Sequence, residues 1–412
     1  MSSLQPVRGT HDLLPDEARR HRWVEETAFT AARRYGFGEI MTPIFEFTDV
    51  FARTLGETSD VVTKEMYTFA DRSGESITLR PEGTAGVARA FISGGLAQSL
   101  PLKLFYRGPM FRHERPQKGR LRQFHQVGVE LLGVESPLAD VEVIAVAWRV
   151  LSELGLASKV RLEINTLGDA ESRETYRNTL VAYLSQFRDS LSEDSRNRLE
   201  RNPLRVLDSK DEGDRRIVEN APLMTESLSP AAREFFTQVT DGLHALGIPF
   251  LLNSRLVRGL DYYCHTAFEF TTTELGAQGT VLAGGRYDEL IATMGGQRTP
   301  GIGWAAGVER LSMLVGEVAD AVRPISVIPM GDTMAALVVA ERLRRTGRSV
   351  EMGFSGNMKK RMARANKINA RFAVILGEEE AARAAVTIRD LDTSTQDEVP
   401  LAQLEDYLGR QS

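Results

Sequence analysis

Residues 37 to 150 are written in short apolar segments, among them FGEIMTPIFEF, SITLRPE, LKLFYRGPMFRHE and FHQVGVELLG, separated by glycines and polar turns. The pattern then changes: from 169 to 248 apolar residues recur at helical spacing, with almost no strand signal, before strand-like segments resume at 250–271 and 278–284. Short alternating segments call for a sheet, and a sheet must pair all its strands to satisfy its backbone. One largely antiparallel sheet is therefore expected from two stretches that a helical insertion separates, flanked by helices at 83–95 and 138–154. A further helix is expected over 15–35, where Pro15 suits the first turn, Asp16 and Glu17 favour its positive end, Gly36 can end it, and Val24, Ala28, Ala31 and Tyr35 form its apolar stripe.

After Arg323-Pro324 the texture changes again. ISVIPM, SVEMG, FAVILG, AVTIRD and DEVPL alternate with helical segments at 332–346 and 357–368, as a separate α/β domain with a mixed or parallel sheet would require. The expected division is 1–168 with 249–321 as an α+β domain carrying a mixed, mostly antiparallel sheet, 169–248 as its helical insertion, and 322–412 as the C-terminal α/β domain. A chain of 412 residues is too long for one ordinary core, which agrees.

Composition narrows the function classes. With 42% hydrophobic and 26% charged residues the chain reads as globular, and no run approaches the ~18 apolar residues of a membrane span. No membrane association is expected, and with no apolar signal region at the N-terminus a cytoplasmic location is. Cys264 is the single cysteine, which excludes an internal disulfide and a cysteine zinc site; it reads as a packing residue. A net charge of −5 excludes a uniformly basic nucleic-acid coat, so any RNA contact must be local. Two basic clusters qualify: Arg112, Arg115, Lys118, Arg120 and Arg122, and a window at 342–371 in which Glu351 is the only acid. The bland reading of each is a solvated helix face or loop, and for the second cluster it explains the charge at least as well as RNA binding at this point.

Candidate chemistry lies in four segments. FYRGPMFRHERPQKGRLRQFHQVGVE, 105–130, reads as strand, basic loop, strand, with Gln126, Gly128 and Glu130 on one face and a gap at Gly128 that leaves room for a ligand. An arginine fork suits phosphate or carboxylate oxygens; an acid and an amide suit a substrate with polar N–H groups. A surface hairpin with internal ion pairs remains equally open from the residues alone. LVRGLDYY, 256–263, sets an arginine, an acid and two tyrosines at the end of an apolar strand, where core alternation would not place them. In GTVLAGGRYDEL, 279–290, Gly284 and Gly285 permit close ligand approach to the backbone, although a tight turn is the commoner use of such a pair. TPGIGWAAGVER, 299–310, runs a small-residue strand into a helix whose early Arg310 could meet phosphate, although taken alone a surface helix arginine is the better reading.

These four segments, in this order, resemble the class II aminoacyl-tRNA synthetases and specifically their histidyl branch. FRHERPQKGRLRQFHQ resembles the class's motif 2, GIGWAAGVERL its motif 3, and FGEIMTPIFEFTDVF its dimer-forming motif 1. LVRGLDYY and AGGRYD resemble the two signatures peculiar to the histidyl enzymes, and RGTHDLLP, TLRPEGTAG and LDSKD extend the resemblance over essentially the whole chain. Departures are Leu121 in the motif 2 loop, Leu282 and Glu289 around AGGRYD, and Trp304 and Ala306 in motif 3; all leave the arginines intact.

The resemblance implies ATP-dependent activation of L-histidine to histidyl-adenylate and transfer of the histidyl group to the 3′ end of tRNA(His). It assigns Arg112 to the α-phosphate, Arg310 and Gly307 to the rest of a bent ATP, and Arg258 to electrophilic aid at the α-phosphate. Glu82, Thr84 and Gln126 match the ammonium site, and Glu130, Tyr262 and Tyr263 the imidazole pocket. Gln117, Lys118 and Arg120 match the loop that meets the RNA acceptor end. Lys359, Lys360 and Arg361 fall in a tail resembling the family's anticodon-binding domain. ATP enters as substrate with Mg²⁺; no permanently bound cofactor and no resident metal site are expected. A homodimer is. His113 and His125 are expected to make structural hydrogen bonds, not to act as bases. The rival readings are a regulatory paralogue that senses histidine, which should lack the ATP arginines and the tail, and a class II synthetase of other specificity, against which RGLDYY and AGGRYD speak.

Overall fold

The computed structural model describes residues 4–55, 61–257, 262–276, 279–318 and 322–411. The chain forms two compact units, 1–318 and 319–412.

In the first unit eight strands form one sheet, in the order Gly38–Glu39, Leu102–Phe111, Gln123–Leu132, Gly301–Gly307, Thr280–Arg286, Cys264–Thr271, Arg161–Thr166 and Phe250–Leu252. Only the two outermost pairings are parallel; every pairing between them is antiparallel. The sheet is thus mixed and mostly antiparallel, and its strands come from both sides of the helical stretch. Alternation decides its two faces. Val127, Val129 and Leu131 point into the main core with Val143, Ile144, Val146 and Val150 of helix Pro137–Glu153 and with Val24, Ala28 and Ala31 of helix Pro15–Arg33. Gln126, Gly128 and Glu130 therefore face the other way.

The segment FGEIMTPIFEF yields only Gly38–Glu39 and Phe45–Phe47, because Pro43 cannot donate to a ladder and breaks the strand that the apolar run suggests. Phe45–Phe47 joins Ser76–Leu79 and Tyr67–Ala70 in a small antiparallel sheet whose Phe45, Phe47 and Phe69 side chains are about half exposed.

Helices Ala170–Ser185, Glu193–Arg201, Glu212–Val218 and Pro230–Ala245 occupy the helical stretch, each opened by a side-chain cap from Asp169, Ser192, Asp211 or Ser229. The first three have their own core, with Tyr176, Leu180, Leu199 and Val218. The last sends Val239 and Leu243 into the main core. No helix among the described residues is long and apolar enough to cross a membrane.

The second unit is a five-stranded mixed sheet, ordered Val350–Met352, Ile325–Pro329, Phe372–Leu376, Ala385–Asp390 and Gln396–Pro400; the first three strands are parallel, the last two antiparallel. Helices Thr333–Arg345 and Leu404–Arg410 pack Ala336, Leu343, Leu404 and Leu408 into its core, and helix Met358–Lys367 lies against the sheet through Met358 and Met362.

Candidate active site

On the open face of the first unit's sheet lies a cavity of about 230 Å³. Two of its lining residues, Thr84 and Tyr287, hold Glu130, which is 1% exposed. The Thr84 hydroxyl donates to one carboxyl oxygen at 2.7 Å, and the Tyr287 hydroxyl donates to the other. Burial raises the carboxyl's pKa from its ordinary 4.5 to about 8, against the lowering effect of those two bonds. Glu82 lies one layer away. Its carboxylate accepts from the Thr84 and Ala85 backbone N–H groups at 2.8 and 2.7 Å, which caps helix Thr84–Ser93; burial raises its pKa, and the two N–H bonds and Arg112 oppose the rise. Gln126 presents a buried Oε1 with no hydrogen-bond partner among the described residues. An orphaned acceptor of this kind costs free energy until a donor arrives.

Tyr262 and Tyr263 form one wall, their ring centroids 4.5 Å apart, and Tyr287 meets Tyr262 edge-on at 5.7 Å. Arginines line the cavity as well, together with Glu114 and Glu309. Arg112 follows strand Leu102–Phe111, donates through Nε to the Pro81 carbonyl at 2.9 Å and lies over the Phe124 ring. Arg310, on helix Val308–Val315, donates to the Gly119 and Thr280 carbonyls at 3.0 and 2.6 Å. Both arginines are thereby anchored, and both line the cavity with Gly307. Between the two long strands the loop closes in a tight turn: Gln117 and Arg120 exchange backbone hydrogen bonds of 3.0 and 2.9 Å around Gly119, whose φ is +72°. Arg120 lines the cavity and pairs with Glu114 at 3.0 Å, whereas Gln117 and Lys118 are exposed.

The structure thus brings Glu82, Thr84, Gln126, Tyr262, Tyr263, Arg112, Arg120, Gly307 and Arg310 to one cavity above Glu130. Arg258 lies outside the described residues. Lys359, Lys360 and Arg361 begin helix Met358–Lys367 of the other unit, behind the Asn357 cap; Lys359 and Lys360 are exposed and Arg361 is half-buried. His125 makes the structural bond expected of it, through Nδ1 to Glu309 at 2.8 Å. Cys264 is a packing residue whose thiol burial pushes up to about 12.

Two expectations need correction. The gap at Gly128 does not hold a ligand: a side chain there would meet the Tyr106 ring at 2.4 Å and the Trp304 carbonyl at 2.7 Å. Likewise Gly284 makes room for the Gly303 carbonyl, and Gly285 for the Thr266 carbonyl and the Tyr263 ring. Tyr287 and Gly303 were missed as site residues. Tyr287 holds Glu130, and a Cβ on Gly303 would sit 1.8 Å from the Glu130 carboxylate. The RYD of AGGRYD carried the signal for Tyr287; nothing local marks Gly303. Arg286 of the same triplet is structural, fully buried against Asp140 with Nε–Oδ1 of 3.0 Å.

Chemically, the cavity can hold a small molecule that bears both polar N–H groups and an anionic, phosphate-like group. The family described as histidyl-tRNA synthetase matches residues 9–311, and that described as anticodon binding domain matches residues 325–411. The histidine–tRNA ligase of Rhodospirillum rubrum is 68% identical over the full length of both chains, and that of Gluconobacter oxydans 57% identical over 98% of each. Among solved structures, apo histidyl-tRNA synthetase from S. aureus superposes with a TM-score of 0.82 at 33% identity, covering 98% of this chain and 99% of that one. A Bacillus halodurans chain titled ATP phosphoribosyltransferase regulatory subunit/histidyl-tRNA synthetase shares the fold, with a TM-score of 0.69 at 20% identity over 92% of this chain and 99% of that one. By sequence and by fold, the chain belongs to the histidyl-tRNA synthetase family.

Proposed function

We propose that the chain activates L-histidine with ATP to histidyl-adenylate and transfers the histidyl group to the 3′ end of tRNA(His). The observation that carries the reading is Glu130: a buried carboxyl group held by two hydroxyls that line the same cavity as Arg112 and Arg310. Such a site is complementary to a substrate with polar N–H groups, because an apolar analogue would leave Gln126 Oε1 unpaired; sites that hydrogen-bond their substrate discriminate by roughly 10⁴. Tyr263 pairs with the second ring nitrogen, and Tyr262 packs beside it. Gln126 Oε1 gains its missing donor from the substrate ammonium, together with Glu82 and Thr84.

The histidine carboxylate attacks the α-phosphorus of ATP, which brings its Mg²⁺ as part of the substrate, and pyrophosphate leaves. Charge builds on the phosphate oxygens in this step. Arg112 and Arg310 are held in advance by the backbone carbonyls of Pro81, Gly119 and Thr280, so little reorganisation is needed as that charge appears. Arg258, by its motif, is assigned to the α-phosphate and Gly307 to the nucleotide. The ribose hydroxyl at the RNA terminus then attacks the adenylate carbonyl, with Gln117, Lys118 and Arg120 guiding the acceptor end. Domain roles follow: 1–168 with 249–321 catalytic, 169–248 an insertion, and 322–412 an anticodon reader in which Lys359, Lys360 and Arg361 meet phosphates.

An isologous homodimer is supported by the exposed Met41, Ile44, Phe45, Phe47 and Phe69 in and around the motif 1-like segment. A cytoplasmic location fits a translation enzyme. The test is direct charging: labelled histidine should become acid-precipitable on tRNA(His), and not on the same RNA after periodate oxidation of its 3′ end. Histidine binding without charging would overturn the reading in favour of a regulatory paralogue.

A further inference from the structure

Behind the cavity, three elements distant in sequence bring together His21 of helix Pro15–Arg33, His125 of strand Gln123–Leu132 and Glu309 of helix Val308–Val315. One potential ligand atom from each lies within 4.8 Å of the others. Two of the three are already partnered: Glu309 takes the His125 Nδ1 at 2.8 Å and the His125 backbone N–H at 2.9 and 3.0 Å. The third is not. His21 is 8% exposed, its ring meets that of His125 edge-on at 5.6 Å, and its Nδ1 is buried with no hydrogen-bond partner among the described residues.

A buried imidazole nitrogen with no partner is expensive to leave unpaired, and the neighbours at hand are another imidazole and a carboxylate. We propose that His21, His125 and Glu309 form a binding site for a first-row divalent transition ion, with Zn²⁺ the best fit. Two imidazole nitrogens and one carboxylate are a recurrent three-residue zinc set that leaves a fourth position open. Bonds of about 2.0–2.2 Å in a tetrahedral shell place ligand atoms roughly 3.4 Å apart, so closure requires only side-chain adjustment. Nitrogen ligands select against Mg²⁺, which separates this site from the ion that accompanies ATP. The proton between His125 Nδ1 and Glu309 leaves to solvent as the ion binds.

An entry path exists. A second hollow of about 310 Å³ is lined by His21 and Glu309 together with His11, Glu17 and Gln117, and a water can complete the shell. The ion would tie the first helix to the helix that carries Arg310, and it would lie beside the loop of Gln117 and Lys118. The site does not depend on the proposed function.

The experiment uses the full chain freed of metal with a chelator. Equilibrium dialysis with Zn²⁺ should find one ion per chain at micromolar concentration, and Co²⁺ should give the intense visible bands of a four-coordinate ion. His21→Phe should weaken Zn²⁺ binding by roughly 100-fold and remove the bands, while histidine-dependent ATP–pyrophosphate exchange in the absence of zinc stays within about twofold. His21→Gln, which keeps a polar group in the helix, carries the same expectation should the aromatic variant misfold. Binding absent up to about 100 micromolar, or undiminished in a folded His21 variant, overturns the site.

Discussion

Glu130→Gln should make the protein more stable and inactive at once, with a pH dependence that identifies the cause. The carboxyl is buried, and its folded pKa is raised from 4.5 to about 8, first by burial. The unfolded chain ionises near 4.5. Between these values the folded state keeps a proton that the unfolded state has released, so stability is fully present below 4.5 and falls as pH rises towards 8. The fall is about 1.4 kcal/mol per pH unit, which sets a ceiling of roughly 3 kcal/mol at pH 7 and between about 4 and 5 at pH 8. Glutamine keeps the shape. Its carbonyl can accept from one of the Thr84 and Tyr287 hydroxyls and its NH₂ can donate to the other, and it carries no charge to disfavour. The variant's advantage should therefore be near zero at pH 4.5 and grow through pH 8. All three tryptophans, Trp23, Trp148 and Trp304, belong to the unit that holds Glu130, so urea unfolding followed by tryptophan fluorescence reports on that unit. Histidine-dependent exchange should drop by at least about 100-fold in the same variant, since a carboxamide cannot offer the imidazole the same acceptor. A stability difference independent of pH, or a variant less stable than the parent at pH 8, refutes the reasoning.

Gly303→Ala should lose histidine binding and about 3 kcal/mol or more of stability, because its methyl group would lie 1.8 Å from Glu130 and 2.4 Å from the Val129 carbonyl; urea midpoints and calorimetric histidine titration check both. Arg286→Met strands Asp140 as an unpaired charge in a fully buried position and should cost about 3–5 kcal/mol, read from the same urea midpoints. Lys359→Ala, Lys360→Ala and Arg361→Ala combined should raise the KM for tRNA(His) about tenfold and flatten its salt dependence by roughly 2 in logarithmic slope, while exchange without RNA stays unchanged.

Alternation made much of the architecture legible in the sequence. In Gln123–Leu132 one face meets helices and the other a cavity, so Val127, Val129 and Leu131 separate cleanly from Gln126 and Glu130. Arg112 and Arg310 became legible only through the resemblance, since taken alone each reads equally well or better as a surface arginine. The glycines were harder to read. A missing side chain records that something occupies its space, not what does: at Gly128 it is Tyr106 from the adjacent strand, at Gly285 the ring of Tyr263, and at Gly303 the carboxylate of Glu130. Each occupant comes from another element, and local patterns carry no such information. For the same reason nothing local marks Tyr287 as the partner of Glu130, or His21 as the neighbour of His125 and Glu309. Strand length along FGEIMTPIFEF was overread because hydrophobicity was weighed before the donor that Pro43 lacks.

ATP–pyrophosphate exchange by the purified chain, run with each of the twenty amino acids singly, tests the central claim most directly. Histidine alone should support exchange, and Arg112→Ala should reduce it by about 100-fold or more. Exchange driven by a different amino acid contradicts the assignment of Glu130 to the imidazole pocket, and the absence of exchange with every amino acid contradicts the activation step itself.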